Sequence, residues 1–417
     1  MTSPALEQLA GRVHAAARVV ARSSSSVRDD ALRLAADLLE DERSSLVAAN
    51  RVDLERAEAA GLTEAARDRL RLTKDRVKGM ARGLRKVAAL PDPVGEVTEG
   101  WVRPNGLRVT RVRVPLGVVG VIYENRPNVT SDAAALCLKA GNAAFLRGSS
   151  SAIESNRAIV ALLRRAAVKA GLPEDAVALV EDTSHETAIA FMQLRGLIDC
   201  LIPRGGKSLI ASLVEHATVP YVLDGDGNCH LYIDAAADLA MAHELAVNAK
   251  THRFGVCNAV ETILVHAGVA ADVLPRLAES LAAADVEIRA DERVRAIVPD
   301  AVPAMDSDFA MEFLGPVVAI GMVDDVSDAI AHIARYSSGH SEAIVTSDVG
   351  VADRFVAEVD GAAVLVNAST RFVDGEELGL GAEVGISTQK LHARGPMGVK
   401  ELTTLKWVVR GDGQVRR

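Results

Sequence analysis

Apolar positions recur at helical spacing over residues 1–90. Ala31, Leu32, Leu34, Ala35, Leu38 and Leu39 share one face, and acidic and basic side chains fill the other, which predicts amphipathic helices. Pro91 and Pro93 end that texture. Residues 97–102 and the alternation Leu107-Val109-Arg111-Arg113 then flank Pro104-Asn105-Gly106, which predicts a hairpin around an Asn-Gly turn. From Pro115 the pattern becomes strand–helix–strand: a buried strand over 117–122, a helix over 132–139 and a strand over 143–146 after Gly141-Asn142. It continues through a helix over 152–170, a strand over 177–180, a helix over 185–194 and a strand over 198–202. A second series opens near residue 259, with strands around 260–265, 317–323, 343–346 and 362–366. Runs of Val, Ile and Leu alternating with helices predict parallel sheets covered on both faces, so the fold class is α/β with two domains. A last strand over 405–409 follows a Gly-rich stretch (375–398) and is expected to return to the early hairpin.

Of the 417 residues, 49% are hydrophobic and 25% charged, which suits a globular protein long enough for more than one core. A net charge of −9 gives no reason to expect nucleic acid or an anionic membrane as partner. No apolar run approaches the roughly 18 residues of a membrane span. Near the N-terminus, Glu7, Arg12 and His14 interrupt the alanines, unlike the basic-then-apolar order of a signal peptide. Four cysteines, at 137, 200, 229 and 257, are too scattered for a zinc motif or a disulfide framework. A reduced, cytoplasmic protein without a metal site is the expectation.

Cys257 lies in Arg253-Phe254-Gly255-Val256-Cys257-Asn258, between a helix ending near Lys250 and a strand beginning near Val260. Backbone amides and Asn258 at such a turn, with His252 and Arg253 close by, would favour the nucleophilic thiolate, although a buried structural cysteine is the alternative. Cys137 and Cys200 fall in apolar runs and read as packing; Cys229, after a Gly-Asp-Gly turn, is ambiguous. Arg204-Gly205-Gly206-Lys207-Ser208 opens a helix after a strand, where amides can bind phosphate, and an ordinary turn is an equal reading. Arg147-Gly148-Ser149-Ser150-Ser151 is a basic, hydroxyl-rich tip without an acid to pair a ribose 2′-hydroxyl, which leans toward NADP. Glu312 stands beside a turn leading into a strand, and His340 ends a helix in a position that is more often structural.

In order along the chain, these segments resemble the aldehyde dehydrogenase superfamily. The resemblance rests on Pro115-Leu116-Gly117-Val118-Val119-Gly120, Ala140-Gly141-Asn142, the turn at 257, and Glu312-Phe313-Leu314-Gly315-Pro316-Val317. Within it the chain is similar to the γ-glutamyl phosphate reductase family of proline biosynthesis. The residues are Tyr123-Glu124-Asn125-Arg126-Pro127-Asn128-Val129-Thr130, the run 251–258, the run 326–344 ending Gly339-His340-Ser341-Glu342-Ala343-Ile344, and the run 379–398 with His392-Ala393-Arg394-Gly395-Pro396-Met397-Gly398.

The resemblance implies two Rossmann-like parallel-sheet domains plus a β-hairpin oligomerisation arm. Residues 1–94 and 116–249 would bind NADP, 250–385 would carry the nucleophile, and 95–115 with 400–417 would form the arm. It implies NADPH-dependent reduction of L-glutamyl 5-phosphate to L-glutamate 5-semialdehyde and phosphate through a Cys257 thioester. Glu312 and Phe313 would hold the nicotinamide ribose; Arg147, Ser149, Ser150, Gly205 and Gly206 would hold the cofactor phosphates; Arg126 and Arg253 would hold substrate. The oxyanion would meet the Cys257 amide and an asparagine: spacing back from Gly141 favours Asn125, while the Arg-Pro-Asn core contains Asn128, and both stand. Hydrolytic relatives carry a water-activating glutamate in a Glu-Leu-Gly-Gly segment; the matching run is Val222-Leu223-Asp224-Gly225-Asp226-Gly227, with Leu223 at that position. A homodimer or homotetramer is implied, with glutamate 5-kinase as a candidate partner.

Overall fold

The computed structural model describes residues 4–416. Residues 1–3 of the expected first domain and Arg417 of the expected arm lie outside the described residues. Two compact units form: Met1–Leu223 with Leu380–Gly385 and Met397–Arg417, and Asp224–Gly379 with Ile386–Pro396.

The first unit begins with five helices, Pro4–Val20, Ser25–Asp41, Arg43–Ala59, Glu64–Leu70 and Lys74–Ala89. Three of them start on hydroxyl caps: Ser24 accepts from the Val27 amide, Thr63 from Ala66 and Thr73 from Arg76. The apolar stripe read from the sequence is the buried face of Ser25–Asp41, through Ala31, Leu32, Ala35 and Leu39. A four-stranded parallel sheet follows, ordered Val177–Leu179, Ala143–Gly148, Val118–Tyr123, Cys200–Arg204. All six residues of Val118–Tyr123 are buried, as an inner strand covered on both faces requires. The chain leaves that strand toward one side and later returns on the other. This makes a topological switch point at the carboxyl ends of Val118–Tyr123 and Cys200–Arg204, where the Glu124 amide donates to the Arg204 carbonyl at 3.1 Å.

The hairpin forms as expected, and Thr403–Arg410 pairs with it in the order Val97–Val102, Arg108–Pro115, Thr403–Arg410. The hairpin therefore finds a partner within its own chain, and the two outer strands remain edges. Trp101 and Trp407 meet edge to face at 5.6 Å, with the Arg111 guanidinium 5.0 Å from the Trp407 ring.

The second unit is built on a seven-stranded parallel sheet. Its order is Val302–Pro303, Glu287–Ala290, Val317–Val323, Val260–His266, Cys229–Ile233, Ser341–Val345, Ala363–Val366. The expected boundary near 249/250 is displaced to 223/224. Cys229–Ile233 is an inner strand of this sheet, and Ala242, Ala246 and Ala249 of the helix Leu239–Thr251 belong to its core. Cys229 and His230 interrupt the apolar run that would have announced the strand. His230 nonetheless lies fully inside, its amide donating to Glu342 at 3.1 Å. No helix among the described residues is long and apolar enough to cross a membrane.

Candidate active site

Four adjacent inner strands of the second unit begin at Val317, Val260, Cys229 and Ser341, so the segments preceding them converge at the amino edge of the sheet. Cys257 lies in one of them. The helix Leu239–Thr251, capped by Asp238, ends before the turn, and the strand Val260–His266 pulls the chain back into the core. The turn holds Cys257 half-buried, whereas Cys137, Cys200 and Cys229 are buried. Burial pushes the Cys200 thiol up to about 12 and holds the Cys137 thiol well above its ordinary value. Burial likewise raises Cys229, helped by the nearby Glu342, Cys257 and Glu261. Cys229, ambiguous in the sequence, is buried behind the turn, and its thiol donates to the Cys257 carbonyl at 3.1 Å.

Gly227 joins the Cys257 backbone to Glu312. A β-carbon on it would stand 1.8 Å from the Cys257 carbonyl oxygen and 2.6 Å from its Cα, so only glycine fits. Its amide donates to Glu312 Oε1 at 2.8 Å. Two residues on, Leu314 adopts φ 51°, and its amide donates to Glu261 Oε1 at 3.1 Å. The other Glu261 oxygen meets Lys250 Nζ at 2.5 Å, and both side chains are fully buried. Burial pushes the Glu261 carboxyl up to about 7 against the pull of Lys250, and lowers the Lys250 ammonium. Phe313 lies between two cations, with Lys250 Nζ at 6.0 Å and the Arg289 guanidinium at 5.4 Å from its ring.

Asn258 does not offer its amide to the sulfur, as the turn had suggested. Its Nδ2 donates to the Val373 carbonyl at 2.9 Å and the Arg371 carbonyl at 3.5 Å. His252 and Arg253 are exposed beside the turn, and Arg371 Nε donates to His252 Nδ1 at 3.2 Å. His340 lies behind Cys229, its Nδ1 2.8 Å from the Ser341 hydroxyl and 3.6 Å from the Cys229 sulfur. Burial lowers its pKa to about 4, so it is neutral.

In the first unit the switch point gathers the other expected residues. Asn125, at φ 41°, follows Val118–Tyr123, and its Oδ1 accepts from the hydroxyls of Ser149 (3.3 Å) and Ser151. Asn128 is exposed in the first turn of Pro127–Lys139, where its Nδ2 donates to Asp132 at 3.0 Å; Arg126, just before, is exposed too. Arg147 lies next to the end of its strand, with Nη2 donating to the Thr183 and Ser184 carbonyls at 2.7 and 3.0 Å, and burial lowers its pKa. Ser150 is exposed at the same tip. Gly205 and Gly206 precede the helix Lys207–His216, but the Gly206 amide donates to Glu124 at 3.0 Å. Sequence reasoning missed Gly227, Glu261, Lys250, Arg371 and Glu124 in these roles. Only the Gly225-Asp226-Gly227 run hinted at a close backbone approach.

The aldehyde dehydrogenase family model matches residues 2–296 and 291–408. Curated proteins named gamma-glutamyl phosphate reductase are 54% identical in Moorella thermoacetica and 52% in Syntrophomonas wolfei, each covering 97% of this chain and 97% of the relative. The crystal structure of gamma-glutamyl phosphate reductase from Thermotoga maritima superposes with a TM-score of 0.96 at 46% identity, over 98% of this chain and 99% of that one. The fold extends to an engineered glycolyl-CoA reductase solved with bound NADP+, at 16% identity and TM-score 0.70, over 97% and 96% of the two chains.

Proposed function

Because the chain belongs to the aldehyde dehydrogenase family, we propose that it reduces L-glutamyl 5-phosphate to L-glutamate 5-semialdehyde and phosphate with NADPH, through a thioester on Cys257. The observation that carries the covalent step is the Gly227 bracket, which packs on the Cys257 backbone and donates to Glu312. The full-length relatives support the substrate.

The Cys257 thiolate attacks the acyl carbon; the S–C bond forms, and the C–O bond to phosphate breaks with its electron pair leaving on the phosphate. NADPH, when bound, supplies the hydride that reduces the thioester. Collapse of the thiohemiacetal to the aldehyde returns the sulfur. The Cys257 amide would donate to the oxyanion, and both Asn125 and Asn128 stand as the second donor. In the free protein the Asn125 Oδ1 accepts from serine hydroxyls, and the Asn128 Nδ2 donates to Asp132. Leu223 stands where hydrolytic relatives activate water, which suits release by reduction.

The residues present fit NADP. Arg147 and the hydroxyls of Ser149 and Ser150 carry no acid among them; of the carboxylates that act on Arg147, Asp182 accepts from the Ser184 amide and the Thr187 hydroxyl and Glu124 from the Gly206 amide, while Glu154 is engaged by Arg56 and Arg157. The Gly205–Gly206 amides serve a phosphate once Glu124 swings off them. Glu312 with Phe313 would hold the nicotinamide ribose, and Arg126 with Arg253 the substrate. A cytoplasmic setting, and a glutamate 5-kinase that supplies the hydrolytically labile acyl phosphate, belong to the same proposal.

With glutamate semialdehyde and NADP+, NADPH formation should require inorganic phosphate. NAD+ should be poorer by at least about tenfold in kcat/KM. Turnover without phosphate would mean hydrolysis and overturn the reading.

A further inference from the structure

We propose that Arg371 seats the substrate's phosphoryl group, an anion site beside Cys257 that rests on the reading above. The residue stands on a segment locked to the nucleophile's neighbour. Asn258 Nδ2 donates to the carbonyls of Val373 and Arg371, and the Thr370 hydroxyl donates back to the Asn258 carbonyl at 2.7 Å. Thr370 and Asn258 are themselves buried, so this junction is part of the core. The Arg371 side chain then runs to the same turn, with Nε on His252 Nδ1. Three basic side chains, His252, Arg253 and Arg371, thus stand around the turn that carries Cys257, Arg371 hydrogen-bonded to His252 and within the field of Arg253 and Cys257.

The ionisation of Arg371 agrees with that placement. Burial works first against its charge, Arg253 adds to this, and Asp374, Cys257 and Cys229 work in its favour. A partly desolvated guanidinium beside a second cation is stabilised by an incoming anion, and its fork matches two phosphate oxygens. The chemistry of an acyl phosphate selects which anion. The phosphate oxygen is bonded to the very carbon that the sulfur attacks, whereas the α-carboxylate lies at the other end of the carbon chain. A cation within electrostatic reach of the sulfur therefore meets the phosphate. As the S–C bond forms and the C–O bond breaks, Arg371 offsets the charge that arrives on the leaving phosphate, which then takes a proton from water.

Alkylation reads this site without turnover. Iodoacetate and iodoacetamide both attack through the Cys257 thiolate, so the ratio of their rates cancels the thiolate fraction and reports the cationic field. Arg371→Gln should lower the iodoacetate-to-iodoacetamide ratio by about threefold, the effect of one charge several ångströms away in a wet site. Inorganic phosphate should protect wild-type Cys257 from iodoacetate and fail to protect Arg371→Gln, with Arg371→Lys between them and far-UV circular dichroism unchanged in all three. An unchanged ratio with phosphate protection intact in Arg371→Gln overturns the proposal. Protection by free glutamate but not by phosphate overturns it as well, since the seat would then take the α-carboxylate. A wild-type protein that shows these responses but fails the phosphate-dependent assay would sink the functional reading alone.

Discussion

Two cysteines at the amino edge of the larger sheet differ in burial, and the proposed chemistry rests on that difference. Cys257 is half-buried in a turn, while Cys229, whose thiol holds the Cys257 carbonyl, is fully buried and kept protonated. Cys257→Ser should cut kcat by about 10³-fold or more while NADPH binding, followed by fluorescence, stays near wild type, because a hydroxyl is far less ionised than a thiol. Substantial residual turnover would count against the covalent route. His340 is equally specific in its consequence for pH. Its folded pKa is lowered by burial from 6.5 to about 4, so between those values the unfolded chain binds the extra proton. The stability it contributes is present above the unfolded value and is lost as pH falls through the folded one. Between pH 6.5 and 4 the wild type should lose about 1.4 kcal/mol per pH unit from this group. Denaturant titrations across that window should show a shallower slope in His340→Gln; parallel slopes would mean that His340 does not titrate on unfolding.

One buried ion pair coordinates three elements. Lys250 from the helix Leu239–Thr251 and Glu261 from the strand Val260–His266 together hold the Leu314 amide in the segment that carries Glu312. Glu261→Gln leaves the Lys250 charge buried without its partner and should destabilise the fold by about 3 kcal/mol. Replacing both together, Lys250→Met with Glu261→Met, should recover much of that loss. The KM for NADPH should remain raised in the double variant, since the Leu314 amide has lost its acceptor and Glu312 its fixed approach. A double variant with wild-type KM would show that the pair supports stability alone. The sequence offered the helix and the strand through periodicity, but a lysine and a glutamate eleven positions apart carry no sign that both will be interior.

For the whole molecule the three-stranded antiparallel sheet carries the consequence. Its outer strands Val97–Val102 and Thr403–Arg410 are edges, and Val97, Val102, Trp407 and Val409 are each more than half exposed. Open edges with apolar side chains favour pairing with a second chain, so the proposal includes a homodimer or homotetramer joined through this arm. Deleting residues 403–417 should lower the oligomeric state or cause aggregation, because Arg108–Pro115 keeps only Val97–Val102 of its two in-chain partners and Trp101 loses its ring contact. Light scattering that finds the intact chain monomeric at micromolar concentration would remove the arm from assembly.

The amino-acid sequence by itself determined the α/β class, the hairpin with its returning strand, and the choice of Cys257 as the cysteine in a turn. Each of these follows from periodicity and turn chemistry among near neighbours, and family resemblance reinforced them. Tertiary structure alone decided that residues 224–249 join the second unit, that Asn258 grips the 371–373 segment and leaves the sulfur to others, and that Gly227 braces both Cys257 and Glu312. The reason is strand order. Strands beginning at Val317, Val260, Cys229 and Ser341 lie side by side although the chain visits them out of that order, so the loops that meet before them are distant in sequence. Local pattern reports which residues form a strand, and only the packed sheet reports which strand starts become neighbours.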